Sequence, residues 1–247
     1  MTLKEFFEEN KKAAIGFSGG VDSAYLLYAA KKYKADIQPY FVKTAFQPQF
    51  EYDDALMLCD KLGIELKTIE YDILSESVIK ANPCNRCYYC KRSIFNLLKA
   101  QSRADGYSLI IDGTNASDNL NERPGAKAIE ELGVRSPLRE CGLTKDRIRE
   151  LSKNAGLFTW NKPSYSCLAT RTQNGTELTY EILTKIENAE LELMKLGFRD
   201  FRVRVYNSDA RLQIKAEQFA KAVELREKIV EVLKPYFDII LLDMEAR

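Results

Sequence analysis

Apolar and polar positions change period repeatedly along the first two thirds of the chain. AAIGF (13–17) is a short unbroken apolar run, which predicts a buried strand. DSAYLLYAAKKY (22–33) has helical spacing, and DIQPYFVKTAF (36–46) is rich in β-formers. A helix is predicted over QFEYDDALMLCDKLG (49–63), stopping at Gly63. IELKTIEY (64–71) alternates and YSLIIDG (107–113) is another apolar run, so both predict strands. TKDRIRELSKNAG (144–156) predicts a helix with Thr144 as N-cap and Gly156 as C-cap. Strands alternating with helices predict an α/β fold, a mostly parallel sheet with helices on both faces. In such sheets ligands collect at the carboxyl ends of the strands, where the Ser18 turn and the Asp112-Gly113-Thr114 turn fall.

The pattern changes near 160–175. From Thr179 a helix carries Ile182, Ile186, Ala189, Leu193 and Leu196 on one face. FRVRVYN (201–207) and ARLQIKA (210–216) predict strands around an Asn-Ser-Asp turn, followed by a helix (217–234) and a strand, FDIILLDM (237–244). The expected division is a large domain over 1–165 and a smaller α+β domain over 166–247.

Composition narrows the chemistry. The 247 residues are 45% hydrophobic, enough for a sizeable core. Lys+Arg 37 against Asp+Glu 36 gives a formal charge of +1, which argues against a nucleic-acid partner. No apolar run is long enough for a bilayer, and MTLKEFFEEN is acidic and amphipathic, unlike a signal peptide. The expectation is a cytoplasmic protein with no membrane contact. The chain has no histidine, which excludes histidine bases, triads and metal ligands. Six cysteines in such a chain argue against a disulfide framework, and Cys59, in a helical pattern, is expected in the core.

Ser18-Gly19-Gly20-Val21-Asp22-Ser23 joins the first strand to the first long helix. Free N–H groups at a helix start, with the helix dipole, favour an anion, and two glycines let a phosphate approach the backbone. Ser18 and Ser23 add hydroxyl donors, and Asp22 is placed to hold Mg²⁺ between phosphate oxygens. The turn lacks the lysine of a Walker A loop and the spacing of GxGxxG. This hexapeptide resembles the loop of the PP-loop ATP pyrophosphatase family, whose members bind ATP, release pyrophosphate and adenylate an oxygen of their substrate.

Further segments sharpen the resemblance. GTNASDN (113–119), RPGAKAIEELGVRSPL (123–138), GLTKDRIRELSKNAGL (142–157) and KPSYSCLATR (162–171) resemble the LarE group of PP-loop sulfur transferases, which act in making the nickel-pincer cofactor. After Cys167 the chain departs from the group pattern, with ATRTQNG in place of a more apolar stretch. The resemblance implies an ATP site of Ser18, Gly19, Gly20, Val21, Asp22, Ser23, Thr44, Gly113 and Thr114, with Asp22, Ser23 and Cys167 catalytic. It implies a PP-loop domain over 1–165 and a substrate-binding, oligomer-forming domain over 166–247. The implied cofactors are ATP and Mg²⁺. The implied substrate is a pyridinium dicarboxylate mononucleotide. The implied partners are sulfide or a sulfur donor, other nickel-pincer cofactor proteins, and further copies of the chain.

Cys84, Cys87 and Cys90 lie three residues apart, and Cys167 is remote. Four arrangements fit: a Cys₄ zinc site, a 4Fe-4S cluster on Cys87, Cys90 and Cys167 with one iron open, a sacrificial Cys167 that gives up its own sulfur, or unligated thiols. Spacing alone does not choose among them. Cysteines matching Cys87, Cys90 and Cys167 mark a cluster-bearing branch of LarE-like enzymes, so the resemblance implies the 4Fe-4S cluster, with Cys84 a spare ligand or bystander. Alternatives are sulfur donated by Cys167 itself, or a tRNA-thiolating PP-loop enzyme.

Arg202 and Arg204 are two apart on a predicted strand and so share a face. Arginine suits phosphate, although a charged edge strand has the same pattern. The LarE resemblance implies that Arg202 and Arg204, with Glu190 and Arg171, meet the substrate phosphate.

Overall fold

The structure, a computed structural model, describes residues 1–119 and 124–247. Arg123, which opens one of the segments quoted above, lies outside the described residues. The chain forms two compact units: Met1–Ile73 with Asn85–Lys162, and Leu74–Cys84 with Pro163–Arg247.

In chain order the first unit begins with α1 (Leu3–Glu9), β1 (Lys12–Gly16), α2 (Val21–Lys32), β2 (Asp36–Lys43), α3 (Gln49–Leu62) and β3 (Lys67–Glu70). The short α4 (Ser77–Lys80) belongs to the second unit. The first unit resumes with α5 (Arg86–Ala104), β4 (Ile110–Ile111), α6 (Pro124–Glu131), α7 (Pro137–Glu140) and α8 (Lys145–Asn154). Its four strands are parallel in the order β3-β2-β1-β4. Alternate residues of β1 separate the two faces. Ala13 and Ile15 join a core with α1, α2, α3 and α8 through Phe6, Leu26, Leu58 and Ile148. Ala14 joins Tyr40, Phe95, Leu98 and Val134 on the other face. This two-sided burial explains why the strands read as apolar runs. The strand order reverses direction between β1 and β4, which makes their carboxyl ends the switch point where ligands of such sheets bind.

The second unit has α9 (Tyr180–Lys195), β5 (Arg202–Tyr206), β6 (Asp209–Gln213), α10 (Phe219–Glu224), α11 (Arg226–Leu233) and β7 (Ile240–Leu242). β5 and β6 form an antiparallel hairpin, and β7 runs parallel to β6. Leu193, Phe198, Val203, Leu212, Ile229 and Phe237 form its core. Segment 74–84 is tied in by its backbone: Gly175 N–H donates to Asn82 O and Leu178 N–H to Lys80 O, both at 2.8 Å.

The threonine caps form as expected: Thr144 accepts from Arg147 N and Thr179 from Ile182 N. Three expectations are corrected. The C-cap of α8 is Ala155, with Gly156 following in the left-handed region. The helix expected over 217–234 is interrupted at Leu225. The last strand contracts to three residues, because only 240–242 keeps pairing with β6. Among the described residues no helix is long and apolar enough to cross a membrane.

Candidate active site

β1 leads its backbone into the Ser18 turn, with Phe17 N–H still paired to Tyr40 O at 2.9 Å. Gly20 is the N-cap of α2, and it has no side chain to satisfy the first N–H groups of the helix. Ser23 Oγ donates to Gly20 O at 3.2 Å and stands 3.2 Å from Ser18 Oγ, so both hydroxyls face the same turn. Gly113, after β4, packs so tightly on this turn that a Cβ there would lie 2.9 Å from Ser23 N. The structure thus brings together the two turns that the sequence placed at strand ends. The result is a helix-start anion cradle at the sheet's switch point.

Gly19 has φ +70, and a Cβ on it would stand 2.9 Å from the Glu51 carbonyl oxygen. Left-handed backbone costs a non-glycine residue about 1–2 kcal/mol, and the obstructing atom is backbone. Gly19→Ala is therefore expected to weaken ATP binding about tenfold or more, measured by calorimetric titration with Mg·ATP. Wild-type affinity in that variant would refute the cradle.

Two lysines that the sequence pattern did not single out stand at this turn. Lys145 Nζ bonds Asp22 Oδ2 at 2.7 Å. Lys162 Nζ pairs with Glu51 at 2.9 Å and Asp54 at 2.6 Å, and lies 3.5 Å from Gly19 O. Arg149 fixes Lys162 in turn by donating to Trp160 O and Lys162 O, each at 2.8 Å. The other oxygen of Asp22, Oδ1, is buried and accepts no hydrogen bond among the described residues. A buried carboxylate oxygen without a donor is rare and suits a hard cation, so the site fits Mg²⁺.

Asp112 is engaged internally. It accepts from Thr114 N–H at 3.2 Å, Thr114 Oγ1 at 2.5 Å and Ser136 Oγ at 2.6 Å, which fixes the turn after β4. Thr44 follows β2, and its hydroxyl is bonded within its own turn to Gln47 Oε1 at 2.7 Å.

The cysteines fall in three settings. Cys59 is buried, and burial pushes its thiol up to about 12; burial also raises the Cys141 thiol. Cys87 and Cys90 lie in the first two turns of α5, three apart and hence on one face, the first exposed and the second buried. Cys84, exposed, and Cys167, half-buried, belong to the second unit. No cysteine is disulfide-bonded, and among the described residues no three His, Cys, Asp or Glu side chains stand assembled as a metal site. Thiols are the donor type of iron–sulfur sites.

The second unit holds a buried charge cluster. Arg171 donates through Nε and Nη2 to the two oxygens of Glu190 at 2.9 and 3.0 Å. Its Nη1 donates to Ser166 O at 2.7 Å, Ser166 Oγ at 2.8 Å, Thr170 Oγ1 at 3.0 Å and Cys167 O at 3.2 Å. Glu190 also accepts from Val203 N–H at 2.9 Å and from the Tyr165 hydroxyl. Burial, then the Glu190 charge, raises the Tyr165 pKa, so this hydroxyl stays a donor. Of the four residues expected at a substrate phosphate, Arg171 and Glu190 are thus bonded to each other and to protein groups. Arg202 donates to Phe201 O and Ser164 O, and Arg204 to Thr170 O and Gln213. Burial, then the neighbouring Arg171 charge, lowers Arg202 to about 10, so it remains a cation at neutral pH.

Parallel strands, a glycine-rich switch-point turn and an orphaned carboxylate oxygen define a nucleotide-binding α/β protein of the PP-loop class. No family model matches the chain. An uncharacterized protein of Synechocystis sp. is 36% identical, covering 99% of this chain and 92% of its own. An uncharacterized protein of Methanocaldococcus jannaschii is 32% identical over 95% and 89% of the two chains. The pyridinium-3,5-bisthiocarboxylic acid mononucleotide synthase of Lactiplantibacillus plantarum is 28% identical over 98% and 89%. The chain belongs to the LarE-like family of ATP-dependent sulfur transferases within the PP-loop ATP pyrophosphatases.

Proposed function

We propose that the enzyme converts carboxylates of a pyridinium dicarboxylate mononucleotide into thiocarboxylates, as a step toward a nickel-pincer cofactor. The observation that carries this reading is the match to the mononucleotide synthase over 98% of the chain. The chemistry needs two steps because oxide is a poor leaving group. ATP lies in the Ser18–Ser23 turn with its phosphates on the N–H groups that start α2. Asp22 and the hydroxyls of Ser18 and Ser23 orient the phosphates and Mg²⁺. A substrate carboxylate oxygen attacks the α-phosphorus, the α–β phosphoanhydride bond breaks, and pyrophosphate leaves. Lys145, paired with Asp22, and Lys162, paired with Glu51 and Asp54, stand beside the departing charge. Hydrosulfide then adds to the acyl carbonyl and AMP leaves, giving a thiocarboxylate and one proton; no atom changes oxidation state.

Cys87, Cys90 and Cys167 would hold a 4Fe-4S cluster, which when bound supplies the transferable sulfide. The first unit is the ATP unit. The second carries Cys167 and the Arg202–Arg204 pair for the substrate phosphate, and is assigned the contacts of a homo-oligomer.

The test uses protein purified without oxygen. Incubated with Mg·ATP, sulfide and pyridinium-3,5-dicarboxylic acid mononucleotide, it is expected to form pyrophosphate, AMP and thiocarboxylate in step. Metal analysis is expected to find iron and acid-labile sulfide in near-equal amounts. Zinc without sulfide would make the cysteines structural. Absence of both metals, with Cys167 losing the mass of H₂S on turnover, would make Cys167 a sacrificial donor. Pyrophosphate formation that ignores the mononucleotide would overturn the substrate.

A further inference from the structure

The turn that carries Cys167 is gripped by arginines at three points. Arg202 Nη2 holds Ser164 O at 2.7 Å, before the cysteine. Arg171 Nη1 holds Ser166 O at 2.7 Å and Cys167 O at 3.2 Å, at the cysteine. Arg204 Nη1 holds Thr170 O at 2.8 Å, after it. The three differ in what backs them. Arg171 is neutralised by both oxygens of Glu190; it and Arg202 both lie over the Tyr165 ring, at 4.4 and 5.1 Å. Arg202 and Arg204 have no such carboxylate in their hydrogen bonds: Arg202 donates to two neutral carbonyls, and Arg204 to one carbonyl and the Gln213 amide. Glu190 attracts Arg202 and Asp243 attracts Arg204 through space, but the acceptors that an anion would displace from these two guanidiniums are neutral, and charge-assisted bonds are about twice as strong as neutral ones.

We propose that Arg202 and Arg204 are positioning residues for Cys167 as well as phosphate ligands. A phosphate monoester arriving on them takes their N–H groups from Ser164 O and Thr170 O, and so releases both ends of the Cys167 turn. Arg171, tied to Glu190, keeps the middle of the turn in place. Before substrate arrives the sulfur-bearing turn is held still; afterwards it is free to swing about one anchor. The proposal rests on the reading of Arg202 and Arg204 as the phosphate site.

The test is hydrogen–deuterium exchange on the full chain as purified, with ribose 5-phosphate as the probe and sodium chloride as the ionic-strength control. Calorimetry on the same samples measures whether the probe binds. Saturating probe is expected to speed exchange in peptides covering 164–171 about fivefold or more, at a charge-assisted exchange of acceptors. Peptides of α9 covering 186–193 should not change. Arg204→Gln is expected to speed exchange in 164–171 without probe and to remove most of the probe's effect; Arg204→Lys should fall between. Arg171→Lys should speed basal exchange but keep the response to probe. Binding with unchanged or slower exchange at 164–171 overturns the release and leaves the phosphate site intact. Absence of binding heat overturns the phosphate site, and the handover with it. Unchanged basal exchange in Arg204→Gln overturns the grip itself.

Discussion

Glu190→Ala is expected to destabilise the C-terminal unit by about 3–5 kcal/mol, the usual cost of leaving a buried charge without its partner. The Glu190 side chain is 2% exposed and that of Arg171 is fully buried. The alanine variant strands the guanidinium where water does not reach it, and also orphans Val203 N–H in the middle of the hairpin core. Folded domains have only about 5–15 kcal/mol in total, so this is a large share. The pair as a whole need not be stabilising, since replacing both members of a buried ion pair by apolar residues is often neutral. Here full recovery is not expected from Glu190→Leu with Arg171→Met, because Arg171 also holds Ser166 O and Cys167 O. Thermal unfolding followed by circular dichroism checks this. The single variant should melt at least about 10 °C lower, on a scale of roughly 4–8 °C per kcal/mol for a unit of this size. The double variant should lie between it and the parent. A single variant melting within about 2 °C of the parent would show the cluster to be more hydrated than its burial implies.

The framework of the first unit was legible because its strands are buried on both faces and punctuated by glycine. AAIGF became β1, and the following Ser-Gly-Gly turn became the cradle, as local pattern alone can announce. Thr144 and Thr179 were readable as caps because capping is settled within four residues. The lysines were not. Lys145 lies 123 residues from Asp22 and Lys162 143 residues from Gly19, and no local period encodes such a meeting. The grouping of 74–84 with the C-terminal unit is equally silent, since it rests on single backbone bonds such as Gly175 N–H to Asn82 O. The break at Leu225 has no glycine or proline to announce it, and the i→i−4 bonds of Leu225 and Ile229 continue across it. Glu190 also carries a local signal of its pairing. It sits one turn beyond Ile186 and three residues before Leu193, inside the apolar stripe of α9. A carboxylate at a core position demands cationic or donor partners, and Arg171, Tyr165 and Val203 N–H supply them. The departure after Cys167, ATRTQNG, falls next to this cluster: Thr172 Oγ1 and Gln173 O both accept from Asn82 Nδ2, which ties that stretch to segment 74–84.

Cys167→Ala is expected to separate the two half-reactions. In the proposed reaction adenylation draws on the Ser18–Ser23 turn and Asp22, all in the first unit, whereas Cys167 belongs to the second. The grip on its turn is made to the carbonyls of Ser164, Ser166, Cys167 and Thr170, which alanine retains. Mononucleotide-dependent pyrophosphate release should therefore stay within about threefold of the parent, while thiocarboxylate falls below ~10⁻³ of it, as when a residue the chemistry cannot replace is removed. The acyl-adenylate then accumulates or is hydrolysed, and both are visible by mass spectrometry. Cys87→Ala decides what the thiol does. If Cys167 gives up its own sulfur, the Cys87 variant still completes one turnover, and its Cys167 loses H₂S. If Cys87, Cys90 and Cys167 jointly hold a cluster, Cys87→Ala loses iron, labile sulfide and thiocarboxylate together, and Cys167 keeps its mass. Thiocarboxylate formed at the parent rate by Cys167→Ala would remove this residue from sulfur delivery altogether, and would leave the PP-loop unit supplying an adenylate to free sulfide.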